Sequence, residues 1–374
     1  MAVHRARAVI RASLILVNYN TSADTLRAVA SLQAQGVPVE LIVVDNASRP
    51  DERRALGTLP SDVRVVWNDG NLGYGGAINL ALPLTTAPVI GFLNPDTVPF
   101  PGALKTLLET LEHGSRVGVV GPRTWWDETR TFLLPPIRLP TLADFFVRWL
   151  GNLLPSVGLA YSRRTARWVA RVGFGDQVKS LSMLSGAFLL ASRKVVEAVG
   201  GFDSGFPLYF EDADWCRRVR QAGYGIAYVP SAEIVHYFDQ SARQISSQVE
   251  AWRAQSLTHY LHKYYGPSGA RLYRRLEVLG PRLSRRLHSA TPFPLEDLGR
   301  PEAPPALPLP ETETFVQVAY HPLFFEAAIG LIRDRLFRFP EAIWQRLRPA
   351  RYFARALDPG TFRPLQVWTW EKLS

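Results

Sequence analysis

Ala12-Ser-Leu-Ile-Leu-Val-Asn18 and Val39-Glu-Leu-Ile-Val-Val-Asp45 are short apolar runs closed by polar residues. The stretch from Thr25 to Gln35 between them reads as a helix, and the order predicts a β-α-β unit. Arg64-Val-Val-Trp67 and Pro88-Val-Ile-Gly-Phe-Leu93 supply two further strands, with a helix from Gly76 to Leu82 separating them. Strands alternating with helices predict an α/β domain whose central sheet is mostly parallel and flanked by helices. Ligands of such sheets bind beyond the carboxyl ends of the strands. Three polar clusters fall there: Asn18-Tyr-Asn20, Asp45-Asn-Ala-Ser48 and Asn94-Pro-Asp96.

The rhythm breaks over residues 130–180, where Pro135, Pro136, Pro140 and Pro155 interrupt the chain and Leu142, Phe145, Phe146, Trp149 and Leu153 recur at helical spacing. This reads as an insertion on the acceptor side of the domain, or as an amphipathic helix packed on its core. The pattern resumes with a strand at Gly186–Ala191, helices at Arg193–Val199 and Ala213–Ala222, and an edge strand from Ile226 to Val229. Residues 1–240 then form the main domain and 241–291 a helical extension. Seven prolines between Pro292 and Pro310 predict an extended linker, and 311–374 a basic amphipathic segment. In that last segment Phe325, Ile329, Ile332 and Leu336 form an apolar stripe at helical spacing, ended by Pro340.

At 374 residues and 47% hydrophobic content the chain buries a large core. Uncharged apolar runs long enough to span a bilayer are missing, and charges interrupt the first eleven residues, so the expectation is a cytoplasmic protein. The single cysteine, Cys216, excludes an intrachain disulfide and reads as a buried structural thiol. The net charge is +10, of which the tail from residue 241 contributes +7. A basic tail carrying Tyr260, Tyr264, Tyr265, Tyr273, Phe324, Phe325, Phe337 and Trp344 suits either peripheral contact with anionic lipid or an appendage packed on the main domain with its arginines solvated. Nucleic-acid binding lacks a zinc, helix-turn-helix or RNA-recognition signature.

Four groups of residues carry chemistry. A carboxylate at a strand end, as in Asn94-Pro-Asp96, can hold Mg2+ or Mn2+ against the charge of a departing diphosphate; the same tripeptide is also an ordinary turn. Leu208-Tyr-Phe-Glu-Asp-Ala-Asp-Trp215 packs three carboxylates into four positions. Asp212 is the candidate general base, and Glu211 and Asp214 either orient an acceptor or complement a helix N-terminus. His236 is structural unless it converges on the cation beside Asp96, where its imidazole would have to be neutral. Asn68-Asp-Gly-Asn-Leu-Gly-Tyr-Gly-Gly-Ala-Ile-Asn79 is a glycine-rich loop opening onto a helix, which admits an anion, but it has neither P-loop nor dinucleotide spacing.

Taken in order, Val17-Asn-Tyr-Asn20, Val43-Val-Asp-Asn-Ala-Ser48, Asn71-Leu-Gly-Tyr-Gly-Gly-Ala-Ile-Asn79, Leu93-Asn-Pro-Asp96, Ser185-Gly-Ala187, Gly201-Phe-Asp203, Glu211-Asp-Ala-Asp-Trp215 and the run to His236 resemble the rhamnosyltransferase-like branch of family 2 bacterial glycosyltransferases. The resemblance spans about residues 10–240 and implies a GT-A fold, here with a helical C-terminal appendage. It implies inverting transfer of a sugar from a nucleotide-diphosphate donor to a glycan or lipid-linked acceptor, in surface or exopolysaccharide synthesis. Val17, Asn18, Asn20, Asp45, Asn71, Gly73, Asn79, Asn94 and Asp96 would then bind the nucleotide and donor. Gly186, Ala187, Glu211, Asp214 and Trp215 would line the donor–acceptor junction, Asp212 would be the base, and Asp96 and His236 would hold Mg2+ or Mn2+. Asn94 replaces the first acid of the family's DxD motif, which adds no charge to the metal site. Asn-Pro-Asp also occurs in rhamnosyltransferase-like relatives, so the resemblance leans to dTDP-rhamnose as donor, although the residues themselves read neither the base nor the sugar epimer. The alternatives are a non-catalytic scaffold of the same fold and, more distantly, a sugar nucleotidyltransferase.

Overall fold

A computed structural model describes residues 9–114, 116–237, 246–287 and 294–373. They divide into two compact units: one takes the chain up to Arg123 with 137–139 and 177–257, the other 124–136, 140–176 and the chain from 258 onward.

In the first unit the elements run β1 (Ala12–Asn18), α1 (Ser22–Gln33), β2 (Val39–Asn46), α2 (Pro50–Leu56), β3 (Val63–Asn68), α3 (Gly73–Ala81), β4 (Val89–Leu93), β5 (Thr97–Pro99), α4 (Ala103–His113) and β6 (Val117–Trp125). The last two residues of β6 belong to the second unit. That second unit continues with α5 (Leu142–Leu153) and α6 (Pro155–Gly173), and the first resumes at β7 (Lys179–Ser180), β8 (Phe188–Ser192), α7 (Arg193–Val199), α8 (Glu211–Gln221) and β9 (Gly225–His236). The sheet order is β3-β2-β1-β4-β8-β6-β9-β5, with β7 paired to β9.

Pairing is parallel from β3 through β4, where the sequence predicts it, and β8 enters antiparallel against β4. Every residue of β1 and of β4 is buried, as a strand covered on both faces requires, and this is why both read as unbroken apolar runs. Ala28, Val29 and Leu32 of α1 and Leu104, Leu107, Leu108 and Leu111 of α4 recur at helical spacing and pack into one core with Leu14, Leu16 and Val43 of the sheet. Cys216 is fully buried on α8, and burial pushes its thiol pKa up to about 12, as expected of an inert structural thiol.

The strand predicted to stop at Val229 continues through Pro230 to His236 and lies between β6 and β5, so it is an interior strand rather than an edge. Its extra length decides where His236 lies.

In the second unit α5 carries the predicted apolar stripe and begins with a capping box between Thr141 and Asp144. The helical extension is present as α9 (Ser246–Leu287), interrupted at Gly266, whose φ of 67° is left-handed. The rest of the tail departs from expectation. Described residues beyond the helix form β10 (Glu296–Asp297), β11 (Ala306–Pro308), β12 (Thr314–Ala319), β13 (Ala328–Ile332), β14 (Leu336–Arg338), a short α10 (Glu341–Trp344), β15 (Ala350–Leu357) and β16 (Pro364–Lys372). Five of these strands make a sheet in the order β10-β16-β15-β12-β13, and β11 pairs with β14. The stripe from Phe325 to Leu336 is therefore not a helix: Ile329 and Ile332 lie on β13 and Leu336 on β14. The proline-rich segment is pinned at β10 and β11 instead of running free, and its first two residues lie outside the described residues.

Five of the aromatic residues that recommended a lipid surface are used internally, while Tyr264, Tyr265 and Tyr273 are half-buried. Phe324, Phe325, Phe337 and Trp344 are buried, as is Tyr260, whose hydroxyl donates to the Pro140 carbonyl at 3.2 Å. Val316, Val318, Tyr352, Trp368 and Trp370 join Trp126 and Phe132 in a single core. Arg355 is fully buried, donating through Nε and Nη2 to Gln317 Oε1 at 2.9 and 2.6 Å and through Nη1 to Ser162 Oγ at 3.1 Å, with Phe324 beneath the guanidinium at 4.3 Å. Burial, and then the charge of Arg163, draw its pKa down to about 9. Among the described residues no helix is long and apolar enough to cross a membrane.

Candidate active site

The carboxyl ends of β1, β2 and β3 carry a buried polar cluster. Asn18 Nδ2 donates to Asp45 Oδ1 at 3.0 Å and to Ser48 Oγ at 2.9 Å, and Ser48 Oγ also accepts the Asn20 amide at 2.9 Å. Asp45 is fully buried, and its second oxygen accepts from Ser48 N at 3.2 Å and Arg53 Nε at 2.8 Å. Asn20 sits at φ 54° and accepts the Arg49 amide through Oδ1. Val17 is buried at the strand end beside them.

The glycine-rich loop is tied to the same end of the sheet by Asn46. Its Nδ2 donates to Asn71 Oδ1 at 2.9 Å and to the Gly73 carbonyl at 3.2 Å, while its Oδ1 accepts from the Leu72 amide at 3.0 Å. Gly73 holds φ 72°, and a Cβ there would collide with the Pro207 carbonyl. Only glycine meets both demands. Asn79, expected at the nucleotide, exchanges hydrogen bonds with the Phe202 backbone in both directions at 2.7 and 2.9 Å, and so clamps α3 to the segment before α8.

Asn94-Pro-Asp96 leaves β4 as a turn closed by Thr97 Oγ1 on the Asn94 carbonyl at 2.7 Å. Thr97 then pairs with His236 at the end of β9, and the Tyr237 amide donates to the Asp96 carbonyl at 3.0 Å. Residues 140 positions apart in sequence are thereby brought together: His236 Nε2 lies 3.2 Å from Asp96 Oδ1 and 3.2 Å from Asn94 Nδ2. Asp96 and His236 are both nearly inaccessible to solvent. No cluster of three or more acidic, histidine or cysteine side chains with metal-site geometry exists among the described residues. The pair fits a partial site, because two cis ligands of a cation bound at about 2.1 Å stand roughly 3 Å apart.

The acidic group stands at the N-terminus of α8, entered through two consecutive aromatic residues in left-handed conformation, Tyr209 at φ 64° and Phe210 at φ 67°. Such backbone costs about 1–3 kcal/mol per residue and is characteristic of functional sites. It turns the acids in different directions. Asp212 Oδ2 accepts from Gly186 N at 3.0 Å and Oδ1 from its neighbour Ala213 N at 2.8 Å. Glu211 is buried, and its Oε2 has no hydrogen-bond partner. Asp214 is fully buried and paired with Arg218 Nε at 2.8 Å. Trp215 is fully buried, donates to the Gly200 carbonyl at 3.0 Å and stacks on Phe202. Asp214 and Trp215, read from sequence as lining the junction, therefore serve as the scaffold behind the acids.

Burial, and then the charge of Asp212, push the Glu211 carboxyl up to a pKa of about 8. Asp212 is also raised by burial, against the pull of backbone N–H donors including Gly186 and Ala213 that favour its ionised form. Two adjacent carboxyls in low dielectric hold one proton between them most easily. Here Asp212, with amide donors on both oxygens, is the ionised member and Glu211 keeps the proton. Because Glu211 binds a proton in the folded state between its ordinary pKa near 4.5 and about 8, while the unfolded chain does not, stability falls as pH rises across that window. Glu211→Gln should abolish that slope, leaving the variant more stable than the wild type at pH 9 relative to pH 5 by a few kcal/mol; urea denaturation at the two pH values measures it.

Tyr74, Asn46, Ser48 and Arg53 were not singled out in the sequence. Tyr74 donates through its hydroxyl to the Gly186 carbonyl at 3.0 Å. Burial, followed by the charges of Glu211, Asp212 and Asp96, raises its pKa well above the usual phenol value, so it remains a donor. The Asp96 and Asp212 clusters meet through the backbone. The segment Gly186-Ala187 joins them directly: Gly186 N holds Asp212, and the Ala187 carbonyl accepts the Asn94 amide at 3.0 Å.

Residues 13–168 match the family described as Glycosyl transferase family 2. An N-acetylglucosaminyl-diphospho-decaprenol L-rhamnosyltransferase of Mycobacterium tuberculosis is 30% identical over 241 residues, covering 60% of this chain and 75% of the relative. Rhamnosyltransferase WbbL of Escherichia coli K12 is 28% identical over 175 residues, 46% of this chain and 60% of the relative. Among solved structures, the mannosyltransferase PcManGT of Pyrobaculum calidifontis, in complex with GDP-Man and Mn2+, aligns with a TM-score of 0.47 at 18% identity, covering 76% of this chain and 74% of that one. The chain belongs to glycosyl transferase family 2 and is a glycosyltransferase.

Proposed function

We propose that this glycosyltransferase moves a sugar, with rhamnose favoured, from a nucleotide-diphosphate donor to a hydroxyl of a glycan or lipid-linked saccharide by inverting displacement. The observation that carries the reading is the junction at Gly186-Ala187. It sets the base candidate Asp212 one residue away from the Asn94–Asp96–His236 cluster that would face the leaving group.

Asp212 accepts the proton of the acceptor hydroxyl as its oxygen attacks the anomeric carbon, and the bond from that carbon to the nucleotide diphosphate breaks on the opposite side. Each Asp212 oxygen already takes one amide hydrogen bond and retains a lone pair for this proton. Glu211, protonated, adds no second negative charge beside the base. The cluster of Asn18, Asn20, Asp45 and Asn71, with Gly73 opening α3, is suited to the base, ribose and phosphates. Asp96 and His236 would hold Mg2+ or Mn2+, which when bound offsets the charge gathering on the diphosphate. Asn94 in place of a carboxylate leaves that site with one less negative charge. The names of the two rhamnosyltransferase relatives support the choice of sugar.

Calorimetric titration with dTDP, UDP and GDP, each with and without Mn2+, tests the reading. The expected result is Mn2+-dependent binding of dTDP in preference to the others. Failure of all three to bind folded protein would favour the non-catalytic scaffold.

A further inference from the structure

Tyr74 is the side chain at this site for which the transfer reaction, as drawn above, has no use. Its hydroxyl reaches neither the Asp96–His236 pair nor the acids by any direct hydrogen bond among the described residues; it ends on the carbonyl of Gly186. The amide of the same Gly186 is the donor to Asp212 Oδ2. Hydroxyl, the Gly186 backbone and carboxylate are thus linked by two hydrogen bonds, one on each of the peptide units that meet at Gly186, each 3.0 Å long. Gly186 lies between the two side chains: a Cβ built on it would make ordinary contacts with Asp212 Cβ at 3.5 Å, Asp212 Oδ2 at 3.7 Å and Tyr74 Cε1 at 3.7 Å.

Each partner of the chain is held from behind. Tyr74 is the second residue of α3, whose start is fixed by Asn46 through Asn71 and Gly73 and whose far end is clamped by Asn79. Its ring meets Phe202 edge-on at 6.1 Å, and Phe202 stacks on Trp215 of α8. Gly186 has no side chain to restrain its peptide, and Ser185 before it is exposed. The Gly186 carbonyl and N–H belong to successive peptide units joined at its Cα, so the bond from Tyr74, with the Ala187 amide on Ser185 Oγ at 3.3 Å, holds the unit after Gly186 and limits the backbone rotation that would redirect the N–H before it.

We infer that Tyr74 is a positioning residue for the transfer reaction: by holding the Gly186 carbonyl it sets the angle of the Gly186 N–H, and through it the rotamer of Asp212. The inference rests on the assignment of Asp212 as base for its effect on turnover, but the hydrogen-bond chain itself does not depend on that assignment. Two readouts separate the two. Tyr74→Phe keeps the ring, the Phe202 contact and the helix position, and removes only the hydroxyl.

The first readout needs no substrate. The chain contains three Ser-Gly pairs, at 185–186, 204–205 and 268–269. Labelling serine carbonyls with 13C and glycine amides with 15N therefore isolates three amide resonances, and the one that Asp212→Asn moves most is Gly186. Tyr74→Phe should shift this resonance upfield and speed its hydrogen exchange, leaving the other two in place. The second readout is steady-state transfer: kcat should fall about tenfold or more with KM for the donor nearly unchanged, the pattern of a misaligned catalytic group rather than lost binding. A Gly186 resonance and exchange rate unchanged in Tyr74→Phe would overturn the inference. So would a kcat equal to wild type. If the wild-type protein transfers no sugar, the function proposed above fails, while the Gly186 resonance still decides the role of Tyr74.

Discussion

Asp212→Asn should lower sugar transfer by about a hundredfold or more and leave nucleotide binding close to wild type, with product formation and calorimetry as the respective measurements. The substitution preserves volume, and the amide oxygen can still accept the Gly186 or the Ala213 hydrogen bond, so the local fold is kept. What it removes, on the proposed mechanism, is the group that would take up a proton as the acceptor oxygen attacks. It also removes the partner charge that contributes to the high pKa of Glu211, so that carboxyl should titrate closer to its ordinary range in the variant. Transfer at the wild-type rate would exclude Asp212 as base. A parallel loss of nucleotide binding would instead make it part of the donor site.

Asp96→Ala has the second large effect. Donor nucleotide binding in Mn2+ should weaken by about a hundredfold, while binding in EDTA is the same for variant and wild type. Disturbing a residue that merely supports a ligand costs roughly 10–100-fold in metal affinity, and removing the only carboxylate of the pair should cost at least the upper end. His236, 3.2 Å from that carboxylate, cannot compensate alone, and Asn94 beside it is neutral. An unchanged Mn2+ response would take Asp96 out of the metal site and leave the pair as a structural hydrogen bond joining β5 to β9.

Much of the parallel half of the first unit was legible because its physics is local. Strands buried on both faces appear as apolar runs, and the polar residues that end them are the ones that meet at the carboxyl edge. Asp96 and His236 were legible as candidates, but their meeting depends on β9 running past Pro230, which a proline in a strand argues against. Tyr74 was hidden in plain view inside the glycine-rich loop: an aromatic among glycines reads as packing, and its bond to Gly186 is a tertiary fact. Nor does any sequence signal announce that Tyr209 and Phe210 adopt left-handed backbone, since bulky residues rarely do.

The C-terminal strands were missed for a different reason. Phe325, Ile329, Ile332 and Leu336 are spaced by four, three and four, which matches a helix, but a turn at Asp334, whose side chain accepts the Arg335 amide, separates two strands that share this spacing by accident. The better signal lay in the alternation of Tyr352, Ala354 and Ala356 and of Trp368 and Trp370, residues that all enter the second core.

The order of segments in the second unit also has a consequence for how the protein is made. Trp126 and Phe132 leave the ribosome well before β12, β15 and β16, the strands that complete their core. At about 5–20 residues per second the nascent chain carries these aromatic side chains for a period on the order of ten seconds or longer before their partners exist. The first unit, whose parallel strands β1 to β4 are all synthesised early, has no such delay in that half. During translation the chain thus passes through a stage with a formed parallel half and an unfinished second core, the stage at which chaperones that bind exposed aromatic segments would act.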